Sequence, residues 1–217
     1  KLIKKNKSVL DVGCGNGIFL ERLKKKTNFK SALGFDYSKQ MIKEAKKRQI
    51  KKTQFIALDM TDNKSLQLLN HKFDYIITKR SLINLANFKQ QVKVLDKLSK
   101  LLKKNGRILS CENSLTNLKN INKARKKVGL KKIIPPWHNV YIENTRLINY
   151  KFKYIKFVNL HEFSSSFYFV TRVINALNSK LKKNNKFDDN INQIGYSLEQ
   201  NLIPGYSQNV VFEFLKK

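Results

Sequence analysis

A buried-strand run opening into three alternating glycines, Val9-Leu10-Asp11-Val12-Gly13-Cys14-Gly15-Asn16-Gly17, constrains the fold of this chain more than any other segment. It reads as a strand, a glycine turn and then a helix, and Gly34-Phe35-Asp36 reads as the tip of the next strand. Glycine has no Cβ to hold a ligand off, so such a βαβ turn lets backbone approach it closely. A carboxylate at the tip of the second strand is placed to accept hydrogen bonds from ribose hydroxyls. The unit points to a bound nucleoside.

The spacing within the turn decides which nucleoside. Dinucleotide sites read G-x-G-x-x-G, with the helix N-terminus facing a pyrophosphate. Here the pattern is D-x-G-x-G-x-G, and Asp11 would repel a pyrophosphate while suiting a sulfonium amino acid. On these residues the chain resembles the class I S-adenosylmethionine-dependent methyltransferases. The resemblance implies a doubly wound, Rossmann-like α/β fold. It has a seven-stranded, mostly parallel sheet in the order 3-2-1-4-5-7-6, with helices on both faces. It also implies S-adenosyl-L-methionine as cofactor, held by Asp11, Gly13, Cys14, Gly15, Gly17, Asp36, Tyr37, Asp59, Met60 and Thr78.

Later segments follow the same order. Tyr37 to Arg48 reads as a helix, and Thr53 to Met60 as a strand ending in Asp59-Met60. In the family, the acidic residue there reaches the adenine amino group and its neighbour packs on the ring. Phe73 to Arg80 reads as a fourth strand, Phe88 to Leu102 as an amphipathic helix ending in Lys103-Lys104-Asn105-Gly106, and Arg107 to Glu112 as a fifth strand. Alternating strands and helices imply a mainly parallel sheet with ligands at the carboxyl ends of its strands. Asp11, Asp36, Asp59, Arg80 and Glu112 all fall at that edge.

At 217 residues with no glycine- or proline-rich linker, a single domain over 1–217 is expected, with substrate-side insertions within 113–205. The first strand begins almost at once, so a helical segment that usually precedes it, and part of a substrate lid, are expected to be missing. No apolar stretch of membrane-spanning length is present. Two cysteines without metal-ligand spacing suggest a reducing cytoplasm. The net charge of +30, from 45 basic and 15 acidic residues, has two readings. It suits a nucleic-acid methyltransferase or one acting on an anionic surface. It is also what a chain enriched throughout in lysine, asparagine and isoleucine carries by composition. Only seven of the 45 are arginines, and the lysines are spread over most of the helices, which favours the compositional reading.

The second half holds what substrate information there is. Pro135-Pro136 fixes an extended approach to Trp137-His138-Asn139-Val140-Tyr141, a cluster expected to form a pocket wall. Together with Arg80 to Leu85, Phe169 to Ile174 and Asp188 to Asn192, this PWHNxY segment resembles bacterial methyltransferases of sugar and surface-polysaccharide loci. That resemblance implies a sugar or nucleotide-sugar as the small-molecule acceptor, with nucleic acid, chiefly RNA, as the alternative. The fourth strand, ending Thr78-Lys79-Arg80-Ser81, lacks the N/D-P-P-aromatic motif of amino-directed base methylases.

An aliphatic hydroxyl needs a base to take its proton during attack. His138 is the candidate, ahead of His71 in a polar stretch and His161 after a strand-like run from Lys151 to Leu160. Arg80 could pair with a substrate oxyanion or make a surface ion pair, and Glu112 could orient a hydroxyl, cap the next turn or bond Arg80. Trp137 and Tyr141 could stack on the acceptor or fill the core. The expected substrate-binding set is Arg80, Asn84, Trp137, His138 and Tyr141, and the expected catalytic set is His138, Arg80 and Glu112.

Overall fold

A computed structural model of the chain describes residues 2–67, 69–183, 188–198 and 202–217. Seven strands form one sheet in the order β3-β2-β1-β4-β5-β7-β6. Four of the six pairings, β1 with β2 and β4, β2 with β3, and β4 with β5, are parallel; β7 runs antiparallel to both neighbours. The elements are β1 (Ser8–Val12), α1 (Ile18–Thr27), β2 (Ser31–Asp36), α2 (Lys39–Lys47), β3 (Thr53–Ala57), α3 (Asn63–Gln67), β4 (Phe73–Lys79), α4 (Phe88–Ser99) and β5 (Leu102–Asn113). Then come α5 (Leu115–Lys127), α6 (Asn144–Ile148), β6 (Ile155–Glu162), α7 (Ser165–Phe169), α8 (Asn175–Leu181), α9 (Asp189–Ser197) and β7 (Asn209–Lys216).

All five residues of β1 are buried, because helices cover both faces of the sheet. Val9 packs with Leu20 and Leu23 of α1 and Ile42 of α2, while Leu10 and Val12 pack with Val92, Leu95 and Leu98 of α4. Alternation along the strand thus divides the core into two layers. Each fully buried leucine contributes roughly 2 kcal/mol, which is why the apolar faces of these lysine-rich helices suffice to hold them.

One expected boundary shifts for a local reason. The Lys103 to Gly106 stretch does not end a helix; α4 stops at Ser99, and these residues loop out of β5 where its pairing with β4 jumps from Phe73↔Leu102 to Tyr75↔Arg107. Leu101 and Leu102 are already buried, so the strand begins before the polar excursion. α5 starts at Leu115, because the Ser114 hydroxyl caps it by accepting from Asn117 N–H at 3.0 Å. β6, which falls within 113–205, belongs to the sheet. Residues 165–181 form one helical run with a π-helical centre at Val170–Ile174. There the Thr171 hydroxyl donates to the carbonyl of Phe167 at 2.9 Å, occupying an acceptor of the helical ladder. No helix among the described residues is long and apolar enough to cross a membrane.

Candidate functional site

The glycine turn is tied to β2 by main chain. Gly13 N–H and Cys14 N–H both donate to the Phe35 carbonyl at 2.9 Å. Gly13 has φ +70°, and a Cβ there would lie 2.5 Å from the Cβ of Ser81, so the loop after β4 can cross the turn only over a glycine. Gly17, at φ +78°, starts α1. Asp36 is held from two sides: Oδ2 accepts from Gly15 N–H at 2.9 Å and Oδ1 from Ser38 N–H at 3.0 Å. Each carboxylate oxygen can accept a second bond, so the group is fixed in orientation without being saturated.

Asp36 lies on a cleft of about 280 Å³. Tyr37, Asp59, Met60 and Gly13 line it with Phe35, Leu58 and Leu85, and Arg80, Ser81 and Asn84 form the side toward β4. Asp59 Oδ1 accepts from both the N–H and the hydroxyl of Thr61, at 2.7 and 2.8 Å. A second cleft of about 400 Å³ opens beyond β4, lined by Lys79, Arg80, Asn84, Asn113, His138, Asn139, Tyr141 and Gln208 with Ile83 and Pro136. The two share Arg80 and Asn84.

Arg80 leaves β4 in the left-handed region at φ +52°, a conformation that costs about 1 kcal/mol or more for a residue with a Cβ. Its N–H still donates to the Cys111 carbonyl at 2.9 Å, and the chain then makes a 3₁₀ turn at Leu82–Asn84. Glu112 lies beneath this turn, fully buried. Its Oε1 accepts from the Thr78 hydroxyl at 2.8 Å and from the N–H groups of Leu82 at 3.2 Å and Ser81 at 3.4 Å, and Oε2 from Ile83 N–H at 3.4 Å. Burial pushes its pKa up to about 7 against the opposing pull of these donors. The same turn is joined to the His138 segment. Val140 N–H donates to the Ile83 carbonyl at 2.7 Å, and Asn139 Nδ2 to Asn84 Oδ1 at 2.8 Å. Gln91, buried on α4, donates from Nε2 to the carbonyls of Leu82 at 3.2 Å and Val140 at 2.8 Å.

Behind the turn, Asp11 is 1% exposed, and its Oδ2 has no hydrogen-bond partner among the described residues. Burial lifts its pKa to about 7, with the Lys79 cation pulling down and the Asp36 charge adding to the rise. Cys14 is also buried, and its thiol is pushed up by burial and by the nearby carboxylates. The thiol fills space against β2, where a Cβ on Gly34 would meet it at 3.0 Å.

The structure therefore sorts the expected residues. Gly13, Asp36, Tyr37, Asp59 and Met60 line the first cleft, Arg80 and Asn84 both, and His138 and Tyr141 the second. Asp11, Cys14, Gly15 and Gly17 shape the turn from behind. Three expectations are corrected. Thr78 is fully buried and bonds Ser110 and Glu112 instead of facing a cofactor. Glu112 supports the 3₁₀ turn and lines neither cleft, because backbone donors claim its oxygens. Trp137 is 96% exposed and lines neither cleft; it contacts the His138 ring edge-on with centroids 5.4 Å apart. His161 is engaged with Glu213 Oε2 at 2.7 Å, away from both clefts. Lys79, Gln91, Asn113 and Gln208 were not foreseen. Gln91 had a signal, an amide on the apolar face of an amphipathic helix, whereas Gln208 is placed only by the return of β7.

Comparisons with known proteins agree with this architecture. A family model described as a methyltransferase domain matches residues 3–154. No curated protein matches the chain. Among solved structures, the chain is similar to magnesium protoporphyrin IX methyltransferase from Synechocystis PCC 6803 with bound SAH. The identity is 13% and the TM-score 0.57, over 98% of this chain and 75% of that one. It is also similar to the N-methyltransferase NodS from Bradyrhizobium japonicum WM9 in complex with S-adenosyl-l-homocysteine. Here the identity is 14% and the TM-score 0.56, over 98% of this chain and 79% of that one. At such identities the likeness is one of fold, and the match over residues 3–154 supplies the rest: the chain belongs to the methyltransferase domain family.

Proposed function

We infer that this S-adenosylmethionine-dependent methyltransferase delivers its methyl group to a small polar metabolite, at a hydroxyl or related group of a sugar or nucleotide-sugar. The observation that carries the reading is the pair of clefts at the carboxyl edge of the sheet, which share Arg80 and Asn84. A donor in one and an acceptor in the other would meet at that shared wall.

The residues of the first cleft fit the cofactor. Asp36 offers a fixed carboxylate to a ribose diol, and Leu58, Met60 and Leu85 offer apolar surface to a purine. The unpartnered Oδ2 of Asp11 behind the glycine turn suits a nearby positive charge. When bound, the cofactor supplies an electrophilic methyl group on a sulfonium. The chain's own part is to orient the nucleophile in line and exclude water. Asn84, Asn113, Asn139 and Gln208 provide the amides that hydroxyl-rich acceptors need, and the His138 imidazole provides a group to take the proton of the attacking hydroxyl.

Asp36→Ala should weaken S-adenosylhomocysteine binding, measured by calorimetry, by about a hundred-fold, corresponding to two charge-assisted hydrogen bonds. An affinity equal to the wild type would remove the ribose assignment and with it the cofactor cleft.

A further inference from the structure

A third cavity, of about 250 Å³, adjoins the acceptor cleft, and Pro136, Tyr141 and Gln208 line both. The remainder of its wall, among the described residues, is aliphatic, from Leu118, Ile121, Ile133 and Ile134, with one charged group, Arg172. We propose that this cavity takes an aliphatic arm of the methyl acceptor that ends in an oxyanion, a carboxylate or a phosphate, held by Arg172. The proposal rests on the methyl-transfer reading and extends the acceptor site away from the reacting group.

Arginine is informative in this chain because the default cation is lysine; only seven of 45 basic residues are arginines. Arg48 and Arg107 pair with carboxylates, Arg146 lies over the Phe88 ring, and Arg125 donates to the carbonyls of Lys131 and Arg172. The Arg172 guanidinium has no hydrogen bond or ion pair to a protein group among the described residues, although it is half-buried in a largely aliphatic cavity. A charge of the same sign lies close by: burial, and then the Arg172 cation, lower the pKa of Arg125, which donates to the Arg172 carbonyl. An unpaired guanidinium beside aliphatic walls, with a second arginine close behind it and no acid lining the cavity among the described residues, forms an arrangement that an incoming oxyanion would relieve. Arg172 is the central residue of the π-helical turn, a local irregularity that recurs at functional sites.

The test is calorimetric titration at physiological salt, with saturating S-adenosylhomocysteine, using octanoate, octyl phosphate, octanol and octylamine as probes. Either oxyanion, or both, should bind at least about ten-fold more tightly than octanol and octylamine, and which one binds identifies carboxylate or phosphate. Arg172→Leu should remove that margin. Ile134→Glu, at an exposed position on the cavity mouth that is safe for the fold, should weaken the oxyanions by at least about ten-fold through charge repulsion. Octanol binding as well as the oxyanions, no binding by either oxyanion, or unchanged oxyanion affinity in Ile134→Glu overturns the proposal. Failure of S-adenosylhomocysteine to bind the wild type would instead overturn the methyl-transfer reading.

Discussion

Asp11 and Glu112 are buried carboxyls on two strands of the same sheet, and both have pKa values pushed up to about 7 by burial. Their surroundings nevertheless differ. Glu112 is surrounded by donors from residues about thirty positions earlier, whereas Asp11 keeps one oxygen unpartnered. A carboxyl whose pKa is higher folded than unfolded contributes stability that is complete below the unfolded value near 4 and is lost as pH rises through about 7. Asp11→Asn cannot ionise, so the ligand-free variant should gain in thermal midpoint over the wild type as pH is raised from about 5 to about 8. A gap that does not change with pH in differential scanning calorimetry would show that Asp11 titrates normally. At this scale the sequence was legible where chemistry is local: Asp36 follows directly from its strand tip. Glu112 was not, because its neighbours come from another strand's loop and no spacing in the chain announces them.

The elements around the site are joined by few side chains. Gln91 connects α4 to the 3₁₀ turn and to the His138 segment through two carbonyls. Gln91→Leu preserves size and apolar packing but removes both donated bonds, at a cost of roughly 1–3 kcal/mol in urea unfolding. The cofactor cleft borders the same turn yet is anchored through β1 and β2. The variant should therefore raise the KM for the acceptor several-fold while S-adenosylhomocysteine affinity stays near wild type; equal losses in both would place Gln91 outside the acceptor wall. The alternation of strands and helices was readable, because apolar runs end on glycines or polar turns. The excursion within β5 and the π-helical turn were not, since each depends on which neighbour satisfies a particular backbone group.

Across the whole molecule, 45 basic side chains against 15 acidic ones generate a field that attracts any polyanion. If that attraction is compositional, RNA affinity should fall by orders of magnitude between about 50 and about 200 mM salt, and methyl label from the donor should enter sugar or nucleotide-sugar pools in preference to total RNA. RNA labelled at physiological salt would reverse that order. The sheet itself carries a constraint of another kind. Among the described residues, β6 is joined to the others through β7, which is inserted between it and β5. On the ribosome, β6 emerges with no partner and waits for some fifty residues until residue 209 is made. A product cut short in that interval would keep two unmated strand borders, and these would be the places where it clumps with its own kind.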